Sequence, residues 1–264
     1  MRGYFLNGPG GPLEGRPLAW VHRGGAGADE NTLASFQAAY AAGFAYLETD
    51  VRLSADGVLY ALHDETLERV TGDPRRVAEV SSAELDTLSI RGRHGAAPLR
   101  FDELVRELPQ ARFNVDVKAE GAGEELGRLV RQAGAEHRVL VASFSARRAR
   151  AALRSAPGLA AAAPPWLIVA SFLGGALVGP LLRSARRRGI LAVQLPHRWG
   201  PFPLVTRARV RRWHAAGLQV HVWVVNDEAE AQVLLRRGVD GIMGDNAGLL
   251  QKVLAAWGAW PQQR

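Results

Sequence analysis

The amino-acid sequence predicts an α/β fold, a (β/α)8 barrel in a single domain, on three observations. Short β-branched or apolar runs alternate with longer helical stretches, the pattern of βαβ units on a parallel sheet. The 264 residues match one such barrel and suffice to bury a large core. Paired carboxylates and histidines fall at the ends of strand-like runs, where a parallel barrel gathers its chemistry.

The predicted strands are 18–22, 45–52, 58–62, 112–117, 138–143, 159–163, 190–195, 219–225 and 239–243. Nine runs compete for eight barrel positions. The Asp56-Gly57 turn signal before 58–62 allows residues 51–62 to be a hairpin-like excursion instead of two complete barrel strands. Residues 1–17 read as an N-terminal extension and 18–264 as the domain.

Helices are predicted between these strands. In 32–42, Asn31 or Thr32 caps the start, Leu33, Phe36 and Tyr40 share a face, and Gly43 ends the element. Helices at 206–216 and 227–237 end at Gly217 and Gly238. The stretch 155–182 carries no charge and by length and hydropathy alone resembles a membrane span. It holds Pro157, Pro164, Pro165 and Pro180 and falls where the alternation needs a strand and a helix, so a buried barrel element is expected and no transmembrane span. A shallow membrane contact through Trp166, Leu167 and Phe172 stays open.

The composition, 47% hydrophobic and 22% charged, is that of an ordinary globular protein. With no cysteine, disulfides, thiolate metal sites and a cysteine nucleophile are excluded. The N-terminus lacks an apolar core of signal-peptide length, so a cytoplasmic location is expected. A net charge of +7 is compatible with an anionic partner. Its arginines fall in separate groups on predicted helices without interleaved stacking aromatics, which argues against nucleic acid.

Glu48 and Asp50 stand two residues apart on a strand, so both point to one face, and Asp116 and Lys118 repeat the arrangement. Three carboxylates converging at the carboxyl ends of barrel strands would hold a hard divalent cation, Mg²⁺ or Ca²⁺. Only Lys118 and Lys252 are lysines among the 33 basic residues, which marks Lys118 as a position asking for a compact ammonium. Of seven histidines, His22 and His63 lie at strand ends, where proton transfer is the expected role. His94, His137, His197 and His214 fall in predicted loops or on helix surfaces, and His221 lies within a strand as a core or wall residue.

His22-Arg23-Gly24, Glu30-Asn31-Thr32, Glu48-Thr-Asp50, Asp56-Gly57, His63-Asp64 and Thr71-Gly72 follow in order, then Asp116-Val-Lys118, Val222 to Asn226 and Gly238 to Asp245. In these motifs the chain resembles the glycerophosphodiester phosphodiesterase family, barrels of the phosphatidylinositol phospholipase C-like kind, from about Leu18 onward. The resemblance implies a TIM-like (β/α)8 barrel that hydrolyses glycerophosphodiesters to glycerol 3-phosphate and an alcohol. It also implies His22 and His63 as the acid–base pair, Arg23 and Lys118 as phosphate contacts, and Glu48, Asp50 and Asp116 as ligands of the divalent ion. The family usually has glutamate at Asp116, so the reach here is one methylene shorter. Gly244-Asp245-Asn246-Ala247 replaces a threonine–aspartate followed by a proline turn, a change expected to affect the barrel rim.

Between His63 and Phe101 there is room for only a small insertion, so substrate selection falls to rim loops, with Trp223, Phe172 and Trp199 as candidate wall residues. Two other readings use the same residues: a lysophospholipase D-like or sphingomyelinase D-like lipid phosphodiesterase, and a barrel that binds a phosphorylated ligand without turnover.

Overall fold

The structure, a computed structural model, describes residues 3–25, 29–92, 96–173 and 177–263; His94 lies outside them. The strands in chain order are β1 (Leu18–His22), β2 (Tyr46–Leu53), β3 (Leu59–Ala61), β4 (Arg112–Val117), β5 (Val139–Ala142), β6 (Ala160–Ala162), β7 (Ile190–Leu195), β8 (Arg198–Trp199), β9 (Phe202–Pro203), β10 (Gln219–Val222) and β11 (Gly241–Gly244). Eight of them run parallel in the circular order β1, β2, β4, β5, β6, β7, β10, β11 and close where β11 returns to β1. This is the closed barrel that the alternation predicts. The ninth run resolves as a hairpin: β3 pairs antiparallel with the end of β2, Val51 opposite Ala61 and Leu53 opposite Leu59.

The longer helices pack around the barrel: α1 (Leu33–Ala41), then the short α2 (Glu68–Thr71) and α3 (Ser82–Leu85), α4 (Phe101–Glu107), α5 (Ala122–Gln132), α6 (Ala146–Ser155), α7 (Pro165–Leu173), α8 (Val178–Arg187), α9 (Arg207–Ala215), α10 (Glu228–Arg236) and α11 (Ala247–Ala256). Six of the starts among the described residues follow from capping, those of α3 and α6 by Ser81 and Ser145. Thr32, Thr206, Asp227 and Asn246 each accept a backbone N–H three residues on, an interaction of about 1 kcal/mol. Thr32, not Asn31, caps α1; Asn31 sits in the left-handed region at φ 58° and its Oδ1 accepts from the Thr49 hydroxyl.

Two cores follow from the two faces of each strand. One set of side chains, Val21, Leu47, Val115, Val141 and Val193 among them, packs outward against the helices. The alternate set, Leu18, Trp20, Tyr46, Leu140, Ala160, Ala162, Ala192 and Met243, fills the barrel interior. Residues of the N-terminal extension join this inner core. Tyr4 and Leu13 are buried there, the Trp20 indole donates to the Tyr4 hydroxyl at 3.1 Å, and Arg112 donates to the Tyr4 carbonyl at 2.7 Å. A small third core under α2 and α3 occupies the 64–100 connection, with Leu67, Val77, Val80 and Leu85 around Tyr60.

The uncharged stretch becomes β6, α7 and the first turns of α8. No helix among the described residues is long and apolar enough to cross a membrane. Pro165 opens α7, where a missing N–H leaves no helical bond unmade.

Candidate active site

Period-two alternation puts Glu48, Asp50, Asn114, Asp116, Gln194 and His221 on the inward faces of β2, β4, β7 and β10, continuing the row that begins lower down with Tyr46, Arg112 and Ala192. His22 ends β1, and Lys118 follows β4. At the carboxyl ends of the strands all of these except His221 line a cleft of about 470 Å³, together with Arg23, His63 and Trp223. The seven residues to which the resemblance gives a catalytic, phosphate or metal role, and the wall candidates Trp223, Phe172 and Trp199, are therefore brought to one cavity.

Each histidine at the cleft is held by a carboxylate. His22 Nδ1 lies 2.6 Å from Asp245 Oδ1, and His63 Nδ1 lies 2.7 Å from Asp64 Oδ1. Those carboxylates are themselves anchored. Asp245 accepts from Asn226 Nδ2, and its backbone N–H donates to Asn226 Oδ1 at 2.8 Å. Asp64 pairs with Arg69, which also binds Glu30 at 2.7 Å, and Glu30 lies 3.5 Å from Arg23. The Arg69 contact, then burial, then His63 set the Asp64 pKa, with a net depression to about 2. Asp64 is thus a fixed anion beside His63.

The carboxylate cluster is only partly neutralised. Lys118 Nζ bridges Asp50 Oδ1 at 3.1 Å and Asp116 Oδ2 at 2.6 Å. Arg23 Nε stands 3.0 Å from Asp50 Oδ2, but without the alignment of a hydrogen bond, so both atoms remain without a hydrogen-bond partner. Asp116 Oδ1 is likewise buried and unpartnered. Burial, with Asp50 and Asp116 close by, pushes the Glu48 carboxyl well above its ordinary pKa. Burial also raises Asp116, against the opposing pull of Lys118. For Lys118 burial alone would lower the pKa, yet Asp116 and Asp50 outweigh it and raise it. The ammonium is therefore charged.

Arg23 owes its position to an unusual backbone. Its φ of 53° is left-handed, a conformation that costs a non-glycine residue roughly 1–2 kcal/mol. Its N–H donates to the Glu48 carbonyl at 2.9 Å, and its carbonyl accepts from Asn31 N–H at 2.8 Å, which holds it there. Gly24 follows at φ 77°, where a Cβ would meet the Ser35 hydroxyl at 2.4 Å. The His-Arg-Gly sequence thus turns the chain sharply at the strand end and aims Arg23 at the carboxylates.

The opposite wall is apolar. Phe144, Ile168, Val169, Phe172, Trp199, Leu204 and Trp223 line it, and the Lys118 ammonium lies 5.7 Å from the centre of the Phe144 ring where the two halves meet. Phe172, Trp199 and Trp223 were anticipated from the sequence as wall residues; Phe144 and the α7 residues Ile168 and Val169 were not. His221 is fully buried beneath the cleft, 4.3 Å from the Trp20 ring and hydrogen-bonded to Gln194, so of the two roles read for it the core is the one it takes. The sequence places Asp245 only within a rim change. It contacts His22 directly, and its position one residue beyond a barrel strand was the available signal. Gly244 before it is required by packing, because a Cβ would lie 2.4 Å from the Val225 carbonyl oxygen.

A closed parallel barrel with its polar cleft at the strand carboxyl ends defines an α/β-barrel enzyme. Residues 22–249 match the Glycerophosphoryl diester phosphodiesterase family. A Mycobacterium tuberculosis protein named "Probable glycerophosphodiester phosphodiesterase 2" is 37% identical over 249 residues, 93% of this chain and 94% of its own. Human "Lysophospholipase D GDPD1" is 26% identical over 257 residues, 85% of this chain and 82% of its own. The crystal structure of glycerophosphodiester phosphodiesterase from Agrobacterium tumefaciens superposes with a TM-score of 0.70 at 27% identity, covering 90% of this chain and 99% of that one. The chain belongs to the glycerophosphoryl diester phosphodiesterase family and is a phosphoric diester hydrolase.

Proposed function

We propose that this enzyme is a metal-dependent glycerophosphodiester phosphodiesterase whose His22 and His63 exchange protons with the substrate. The observation that carries the reading is the pair of histidines, each tied at Nδ1 to an anchored carboxylate, lining one cleft with the cluster of Glu48, Asp50, Asp116, Arg23 and Lys118. Holding Nδ1 fixes the ring and assigns Nε2 to proton transfer.

The donor set fits a hard divalent ion, Mg²⁺ or Ca²⁺. Asp50 Oδ2 and Asp116 Oδ1 are buried oxygens without hydrogen-bond partners, and burial first, then the neighbouring Asp50 and Asp116 carboxylates, raise the Glu48 pKa. As the side chains stand, no three such groups among the described residues form a ready-made cage, and Lys118 lies between Asp50 and Asp116. Glu48, Asp50 and Asp116 would hold the ion once Lys118 turns toward the phosphate. A bound ion supplies Lewis-acid polarisation of the phosphoryl oxygens.

Arg23 and Lys118 bind the non-bridging oxygens and concentrate positive charge where negative charge grows. One histidine takes the proton of the glycerol 2-hydroxyl as its oxygen bonds to phosphorus, and the other gives a proton to the departing alcohol oxygen. Water then opens the cyclic phosphate with the two roles exchanged, leaving glycerol 3-phosphate. The test is release of glycerol 3-phosphate from glycerophosphocholine by metal-stripped protein with Mg²⁺, Ca²⁺ or Mn²⁺ restored, alongside His22→Ala and His63→Ala. Metal-restored turnover that falls by at least about a thousandfold in both variants is expected. Turnover without added ion, or near-normal turnover in either folded variant, refutes the reading. A p-nitrophenyl ester of glycerol phosphate, whose leaving group needs no proton, should rescue only the variant lacking the acid.

A second reading is favoured by the apolar wall of Phe144, Ile168, Val169 and Phe172, which has no task with a small polar diester. It suits the acyl chain of a lysophospholipid, and comparing lysophosphatidylcholine with glycerophosphocholine separates the two.

A further inference from the structure

The apolar wall continues beyond the cleft. Phe144, Val169 and Trp199 line it and yet are 67%, 56% and 75% exposed. Outside the lining, Trp166 at the start of α7 is 52% exposed and Phe202 is 70% exposed, opposite Trp199 in the β8–β9 hairpin. These side chains sit on the connections that follow β5, β6 and β7, so they rim one side of a single mouth. Large apolar side chains grouped in this way on a water-facing surface mark a site of contact.

Charge singles out the same side. From His137 to Asn226 the chain has fourteen arginines and not one aspartate or glutamate, and every rim residue named above lies in that span. Arg198, adjacent to Trp199, and Arg207, at the start of α9, are exposed and have no ion-pair partner among the described residues. Aromatic side chains bordered by unpaired arginines match the two layers of a lipid surface, acyl boundary and anionic headgroups.

We propose that this rim is an interfacial docking surface that seats the mouth of the cleft on a membrane containing anionic lipid. Trp166, Trp199 and Phe202 enter the headgroup boundary, and Arg198 and Arg207 meet the phosphates. The docking holds for either diester substrate considered above, and its failure leaves hydrolysis of a soluble diester untouched.

The test is co-sedimentation with vesicles of phosphatidylcholine alone or mixed with phosphatidylglycerol, at low and high salt. The double variant Trp166→Ser/Phe202→Ser is compared with the unaltered protein, because neither residue lines the cleft. Binding to the mixed vesicles, weaker on phosphatidylcholine alone and reduced by salt, is expected, with at least about a tenfold loss in the double variant. Glycerophosphocholine turnover by the two proteins should be equal. No binding to either vesicle, equal binding to both compositions, or binding undiminished in the double variant overturns the proposal. So does a dimer in sedimentation velocity that the same substitutions dissociate, which would assign the rim to a second copy of the chain.

Discussion

Replacing Asp245 with asparagine isolates what the carboxylate does for His22. The oxygen lies 2.6 Å from Nδ1, a distance typical of a charge-assisted hydrogen bond, and Asn226 holds the acid from the far side. An amide of the same shape keeps the packing and loses the charge. A bond to a charged group is worth about 1.5–3 kcal/mol against about 1 for a neutral one, and an amide also permits the wrong ring tautomer. Together these predict a fall in kcat of about 10- to 100-fold, the equivalent of about 1.4–2.8 kcal/mol of barrier. Asp245 does not line the cleft, so KM should change by less than about threefold. Steady-state release of glycerol 3-phosphate from glycerophosphocholine measures both constants. If Asp245 acts through His22, adding Asp245→Asn to His22→Ala should cause no further loss. A kcat within about twofold of normal in the folded single variant, or a further loss in the double, would refute the positioning role.

Three other outcomes follow from the same architecture. His221 is fully buried, and burial pushes its pKa down from 6.5 to about 4, so the unfolded chain takes up a proton first as pH falls. Stability should therefore drop through that window by up to about 3 kcal/mol more in the native protein than in His221→Gln, measured by urea unfolding at several pH values. Restoring the family's threonine at Gly244 forces a Cβ to within 2.4 Å of the Val225 carbonyl oxygen and should lower Tm by roughly 5 °C or more; an unchanged thermal midpoint would show that the β10–α10 connection yields freely. Phe172→Ala should raise KM for lysophosphatidylcholine by about tenfold and leave that for glycerophosphocholine nearly unchanged, and equal effects on both would remove the acyl chain from this wall.

Legibility differed between residues for reasons that can be named. Glu48, Asp50 and Asp116 were legible because alternation along a strand is rigid, so two carboxylates two apart in an apolar run have one explanation for their shared face. His22 and His63 were legible from their place at strand ends together with the motifs around them. Asp245 lies 223 positions from His22, and nothing local relates them until β11 closes the barrel against β1. Part of the apolar wall, Phe144, Ile168 and Val169, was hidden for the opposite reason. Residues 165–172 read as core by composition apart from the wall candidate Phe172, and only the placement of α7 over the cleft turns Ile168 and Val169 into its lining.

The sequence by itself determined the barrel, the inward set of side chains and the chemical types at its carboxyl end, because strand and helix periodicities act over a few residues. Tertiary structure alone decided that β3 is a hairpin arm, that the N-terminal extension contributes Tyr4 and Leu13 to the inner core, and that Lys118 stands between Asp50 and Asp116. It also decided which carboxylate holds each histidine. Those outcomes depend on closure of the sheet, which brings together residues that no local pattern connects.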